Sequence, residues 1–125
     1  MIAGKKGLLL AATAFAFAAG FTLAQGMHAT GREPQFDNAD VKVWKSVIRP
    51  NDPLPLHRHD HPRVIVALQG GTMKILEESG QSELHHWQTG KAYWLPANPA
   101  GTRHQDVNVG EAPIEVMVVE LQQAK

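Results

Sequence analysis

The sequence predicts an all-β fold, a sandwich or barrel of short strands that forms a single domain. Short apolar and β-branched runs are separated by Gly, Pro and Asn at intervals of about 8–12 residues. No stretch after residue 24 shows the sustained 3.6-residue periodicity of a helix. The length of 125 residues is that of one domain.

The predicted strands follow one another between residues 41 and 121. Each is an apolar or alternating run that stops at turn residues, such as Gly70-Gly71 or Gly110 to Pro113. We therefore expect the barrel domain to cover residues 41–122. A histidine-rich strand is predicted at 55–63, and the run 64–68 continues it. The other predicted strands are 41–48, 72–77, 82–87, 92–95, 102–109 and 114–121.

Residues 1–24 have the pattern of a secretory signal peptide. Lys5 and Lys6 precede an apolar run over residues 8–21, and Thr22-Leu23-Ala24 supplies the small residues of a cleavage site after Ala24. An uncleaved membrane anchor is the alternative, but the run is short against the roughly 20 apolar residues that a span needs. We expect a periplasmic or secreted protein, in which residues 25–40 form a flexible N-terminal arm, because they contain Gly26, Gly31 and Pro34 and few apolar residues.

Charge and cysteine content narrow the range of partners. The chain has 12 basic and 12 acidic residues, and removal of Lys5 and Lys6 leaves 10 basic against 12 acidic, a net charge of −2. This balance indicates no nucleic-acid partner and no stable membrane association after signal cleavage. With no cysteine, the domain has neither disulfides nor thiolate metal ligands.

The main functional signal is the segment 55–63, which reads PLHRHDHPR. In an extended strand, alternate side chains share one face, so His57, His59, His61 and Arg63 would point the same way. Two imidazoles spaced in this manner can bind one transition-metal ion at about 2.0–2.1 Å. A lone His-x-His is more often a polar strand without a ligand, so the prediction depends on a third ligand elsewhere.

His104 is the candidate for that third ligand. If its strand lies beside the histidine-rich segment, the three imidazoles share one face. The alternative is a polar cavity without metal, but burying three imidazoles without a partner would be costly. We therefore expect a divalent transition metal at His57, His59 and His104, and Fe, Mn, Ni, Cu and Zn all accept imidazole.

Two blocks of the chain resemble the two motifs of the cupins, small β-barrels of the jelly-roll type. The first motif runs Gly, five residues, His-x-His, three or four residues, Glu, six residues, Gly. This chain matches at His57, His59 and Gly70, lacks the opening Gly, and carries Arg63 where the motif has Glu. The second motif is matched, with three extra residues after Pro96, at Gly90, Pro96, Gly101, His104 and Asn108.

The resemblance implies a small single-domain bacterial cupin that binds metal through His57, His59 and His104 and forms a homodimer. It implies no carboxylate ligand, because Arg63 is always charged and cannot bind a cation. Arg63 would instead hold an acidic small-molecule ligand, or pair with an acid such as Asp106.

Three classes of function remain open from the sequence. The first is an Fe(II) dioxygenase that uses three histidines and acts on an acidic or chelating substrate. The second is a non-catalytic module that binds a metal or an anionic metabolite. The third is an isomerase or lyase acting on sugars or acids, with His85 or His61 as the catalytic base.

Overall fold

Strands are the only regular secondary structure over residues 29–123, the part that the computed structural model describes. The predicted signal peptide, residues 1–24, lies outside these residues, as does the beginning of the predicted arm. The strands are β1 (Gly31–Asp37), β2 (Val41–Ile48), β3 (Arg63–Gln69), β4 (Gly71–Glu77), β5 (Ser82–Trp87), β6 (Ala92–Leu95), β7 (His104–Asn108) and β8 (Ile114–Leu121).

These strands form two antiparallel sheets whose inner faces enclose the core. One sheet has the order β1-β2-β8-β3-β6 and the other the order β5-β4-β7. The register between β2 and β8 runs without interruption from Val41 opposite Leu121 to Ile48 opposite Ile114. Both sheets contribute to the buried cluster, which consists of Trp44, Ile48, Leu54, Ile65, Ala67, Met73, Trp87, Ile114, Val116 and Val118.

Strand β8 shows how the sequence produces this arrangement. Ile114, Val116 and Val118 are buried, whereas the residues between them are partly exposed. This is the two-residue alternation of a strand with one face on the core. Within residues 29–123, the structure contains no helix with the length and apolar character that are needed to cross a bilayer.

The predicted flexible arm requires correction over residues 31–37, which form β1. This strand pairs with β2 at the edge of the larger sheet, with Gly31 opposite Val47 and Asp37 opposite Lys42. Its side chains after Gly31 are exposed, so no apolar alternation marks it in the sequence. Backbone hydrogen bonds to β2 hold the segment, and these need no particular side chain.

The prediction of a histidine-rich strand was wrong for residues 55–62, which form no regular strand. Pro53, Pro55 and Pro62 have no backbone N–H to donate, so a continuous ladder cannot form along this segment. A single antiparallel bridge, between His57 and His104, remains. Regular pairing begins only at Arg63, the first residue of β3.

Candidate metal centre

Backbone pairing places His57 directly opposite His104. The amide of His57 donates to the carbonyl of His104 at 2.9 Å, and the amide of His104 donates to the carbonyl of His57 at 2.8 Å. Two residues that exchange both hydrogen bonds in this way carry their side chains on the same face. The centroids of the two imidazole rings are 4.5 Å apart.

A second pair of backbone contacts positions His59. Its amide donates to Oδ1 of Asn98 at 2.6 Å, and the amide of Asn98 donates to the carbonyl of His59 at 2.8 Å. The ring of His59 stacks on Trp44 with an interplanar angle of 2°. Each of the three histidines offers a ring nitrogen, and these nitrogens lie within 4.8 Å of one another.

Hydrogen bonds on the outer side of two rings fix which nitrogen faces inward. Nδ1 of His57 lies 2.7 Å from the carbonyl oxygen of Pro55, and Nδ1 of His59 lies 3.0 Å from Oε2 of Glu120. Both oxygens can only accept, because the carboxyl of Glu120 is ionised, so each Nδ1 carries the proton and leaves Nε2 as the basic nitrogen. A ring held by a carbonyl or carboxylate in this way is the usual arrangement of a metal-binding histidine.

Burial keeps two of the imidazoles neutral. It lowers the pKa of His59 to about 4, against the opposing effect of the hydrogen bond to Glu120, and it lowers the pKa of His104 to about 4 against the charge of Asp106. Burial alone would raise the pKa of Glu120, but the hydrogen bond from His59 and the charge of Arg63 hold it below its ordinary value. At neutral pH both rings are therefore in the form that binds metals.

The residues fit a divalent metal because polar atoms in this cluster have no other partner. Nε2 of His57, Nε2 of His104 and Oδ1 of Asp106 are buried and make no hydrogen bond to the described residues. Leaving such an atom unpaired costs about 1–3 kcal/mol. Three of them around one point indicate a site for a cation that accepts nitrogen and oxygen ligands.

Of the three histidines, His59 lines a cavity of about 30 Å³ between the two sheets. Arg63 lines this cavity together with His59, and its side chain is buried. Its Nη1 donates to the carbonyl of Pro96 at 3.2 Å. Burial lowers the pKa of Arg63, and the charges of Asp106 and Glu120 act in the opposite direction. The guanidinium of Arg32 lies 4.6 Å above the Trp44 ring and lines the same cavity.

The structure does not bring the two predicted catalytic bases to this cavity. His61 and His85 are both absent from its lining. His85 lies 3.3 Å from Glu83 and packs on the ring of Trp87. A catalytic role for either residue stays a prediction.

Three charged residues of the site were not predicted as site residues. Glu120 lies on the same side of β8 as the buried Ile114, Val116 and Val118. The alternation of this strand could therefore have predicted that its side chain points inward. Asp106 shares the parity of His104, and the sequence suggested it only as a partner for Arg63. Arg32 lies on β1, which the sequence did not reveal as a strand.

The fold is shared with many solved structures, although no family model and no curated protein sequence matches the chain. A cupin domain from Bordetella pertussis has 26% sequence identity and a TM-score of 0.62, and the match covers 76% of this chain and 97% of that one. A RmlC-like cupin with a double-stranded β-helix fold from Methanocaldococcus jannaschii has 19% identity and a TM-score of 0.58 over 74% of this chain and 80% of that one.

A third match is similar in extent. A protein with a double-stranded β-helix domain from Klebsiella pneumoniae has 18% identity and a TM-score of 0.57, over 79% of this chain and 83% of that one. The two-sheet architecture, the histidines at the positions of the cupin motifs and these matches agree with one another. The chain has the cupin fold and forms a single-domain jelly-roll barrel.

Proposed function

We propose that this protein is an exported cupin that binds a divalent transition metal through His57, His59 and His104 and holds a small acidic or chelating molecule beside it. The observation that carries the proposal is the convergence of three ring nitrogens within 4.8 Å. Unpartnered Nε2 atoms on His57 and His104 support it further. Export and a homodimeric state belong to the same proposal and rest on residues 1–24 and on the family resemblance.

The charges around the cavity support an acidic ligand. Arg63 and Arg32 both line it, and within the described part of the chain neither makes an ion pair shorter than 4.0 Å. A buried guanidinium without a close carboxylate can form a bidentate pair with a carboxylate or enolate that enters the cavity. We assign this role to Arg63, which is the more deeply buried of the two.

The enzymatic form of the proposal is an Fe(II) dioxygenase. A metal held by three neutral imidazoles keeps open positions for oxygen and for a chelating substrate, and iron would supply the redox chemistry. The protein would contribute the orientation of the rings, through Pro55 and Glu120, and the binding of the acid by Arg63. A non-catalytic binding module would use the same contacts without turnover. Oxygen uptake by the iron-loaded protein with diketones, thiols and phenolic acids separates the two.

Loss of the metal in single histidine variants tests the proposal. We expect His57→Ala, His59→Ala and His104→Ala each to weaken metal binding by about 100-fold or more, because losing an outer-shell partner alone costs 10- to 100-fold. The measurement is competitive chelator titration of the metal-free proteins with Zn(II) and Fe(II), supported by elemental analysis of the purified proteins.

His86→Ala is the matched control, because His86 is exposed and bonds only to Thr72 in the described residues. It should bind metal like the wild type, and circular dichroism should show that all four variants keep their strands. Wild-type affinity in the three cluster variants would refute the ligand assignment.

A further inference from the structure

The carboxylate of Asp106 lies between two of the three proposed ligands. Its Oδ2 is 3.5 Å from Nε2 of His57, and its Oδ1 is 3.5 Å from Nε2 of His104. Asp106 follows His104 by two residues on β7, so both side chains leave the strand on the same face. The side chain of Asp106 is 15% exposed, so it is largely withdrawn from solvent.

The distances do not fit hydrogen bonds. A nitrogen–oxygen hydrogen bond is about 2.7–3.2 Å long, and Oδ1 of Asp106 and both Nε2 atoms have no hydrogen-bond partner among the described residues. Two ligands bound to one ion at about 2.1 Å, with a tetrahedral angle between them, are separated by roughly 3.4 Å. Each of the two oxygen–nitrogen distances is therefore that of neighbouring ligands of one cation rather than that of a donor and an acceptor.

An ion pair with arginine does not account for this carboxylate either. Over residues 29–123, the charged contacts of Asp106 within 4.0 Å are those with His57 and His104. The charges of Arg63 and Arg32 interact with Asp106 only over a longer distance. Arg63 instead donates a hydrogen bond to the carbonyl of Pro96. A largely buried carboxylate with no arginine or lysine of the described chain within 4.0 Å lacks a permanently charged partner at close range.

We propose that Asp106 is a fourth ligand of the metal and supplies from β7 the carboxylate that is absent at position 63. The inference rests on the proposed metal site and adds one anionic oxygen to it. With three imidazoles and one carboxylate, a divalent ion keeps a net charge of +1 instead of +2. A mixed nitrogen and oxygen set of this kind suits Mn(II), Fe(II), Co(II) and Zn(II), and it leaves Arg63 available for an anion.

Co(II) binding to metal-free wild type, Asp106→Asn and Asp40→Asn tests the inference. Asn keeps the shape of Asp but has no charge, so we expect Asp106→Asn to weaken Co(II) by about 100-fold. Its visible ligand-field bands should also shift, because a bound carboxylate is replaced by water or an amide. Asp40→Asn makes the same chemical change at an exposed position outside the cavity lining, and it should match the wild type in affinity and spectrum.

The spectrum separates a ligand from a residue that acts only through its neighbours. If Asp106→Asn binds Co(II) with the wild-type spectrum, Asp106 is not a ligand, even where the affinity falls. Asp106→Ala leaves room for water and should give the same spectral change, so it serves if the Asn variant is poorly folded. Should wild type itself bind no Co(II), or His57→Ala bind it as tightly as wild type, the proposed function fails and the inference with it.

Discussion

Arg63 has the most unusual environment in the site. Its side chain is buried at the start of β3, beside β8, where Glu120 is its partner in the register. The charges of Glu120 and Asp106 favour the charged form, whereas burial disfavours it. A cation in this position repels a metal ion and attracts an anion. Under the proposed function, Arg63 would give up some metal affinity for the ability to hold an acidic molecule.

The two roles of Arg63 can be separated by substitution. Arg63→Glu should tighten divalent metal binding by at least about tenfold, because a carboxylate about 4 Å from a cation gains several kcal/mol at an effective dielectric near 20. Arg63→Met removes the repulsion without adding a ligand, so metal affinity should rise only slightly. Both variants should lose binding of any acid that the wild type holds.

Competitive chelator titration of wild type, Arg63→Glu and Arg63→Met at one pH measures these differences. Equal affinities in all three proteins would show that the charge at position 63 does not reach the metal. Binding of an acidic ligand by Arg63→Met at wild-type strength would assign that ligand to Arg32 or to another part of the cavity.

At the scale of elements, the sequence predicted most strands because their alternation and turn residues are local signals. The predicted bounds of β2, β5, β6 and β8 agree with those in the structure, and the all-β class and the cupin fold were confirmed. The sequence analysis made a shared histidine face conditional on the His104 strand lying beside the histidine-rich segment, and the bridge between His57 and His104 meets that condition, although the segment around His57 is an irregular loop.

What the sequence did not reveal depends on tertiary contacts. β1 is held through its backbone at a sheet edge and has no apolar pattern to show it. The parity of Asp106 was noted in the sequence, but only the meeting of β7 with the loop before β3 places its carboxylate between two imidazoles. Such a contact joins residues about 50 positions apart, and no local pattern encodes it.

The connection between β3 and β4 depends on Gly70. A Cβ at this position would lie 2.1 Å from the carbonyl oxygen of Trp87 and 2.8 Å from the amide nitrogen of Thr89, both of them backbone atoms. We expect Gly70→Ala to lower the free energy of unfolding by about 3 kcal/mol, the upper part of the usual range for overpacking.

Gly31→Ala is the control for this prediction, because a Cβ there would have no heavy atom within 4 Å. It should change stability by less than about 0.5 kcal/mol. Urea denaturation followed by tryptophan fluorescence measures both variants against wild type. Equal midpoints for Gly70→Ala and wild type would mean that the end of β5 can move aside without cost.

At the scale of the whole molecule, the location of the protein depends on its first 24 residues. The pattern of Lys5, Lys6 and Thr22-Leu23-Ala24 predicts that the mature chain begins at Gln25 and is found outside the cytoplasm. N-terminal sequencing of the protein after cell fractionation tests this. Soluble cytoplasmic protein that still begins at Met1 would contradict this prediction. A double variant, Lys5→Glu with Lys6→Glu, should slow export.

The pairing of β2 with β8 has a consequence for the time course of folding. Val41 lies opposite Leu121, so the second strand of the described chain finds its partner only when almost the whole sequence is available. Contacts between residues so far apart form slowly, because a long loop must close before they contribute any stability. A nascent chain cannot complete its larger sheet before its last strand has been synthesised. The larger sheet therefore stays incomplete until β8 has been made, and under the proposed export this delay would favour passage of the chain through a translocation channel.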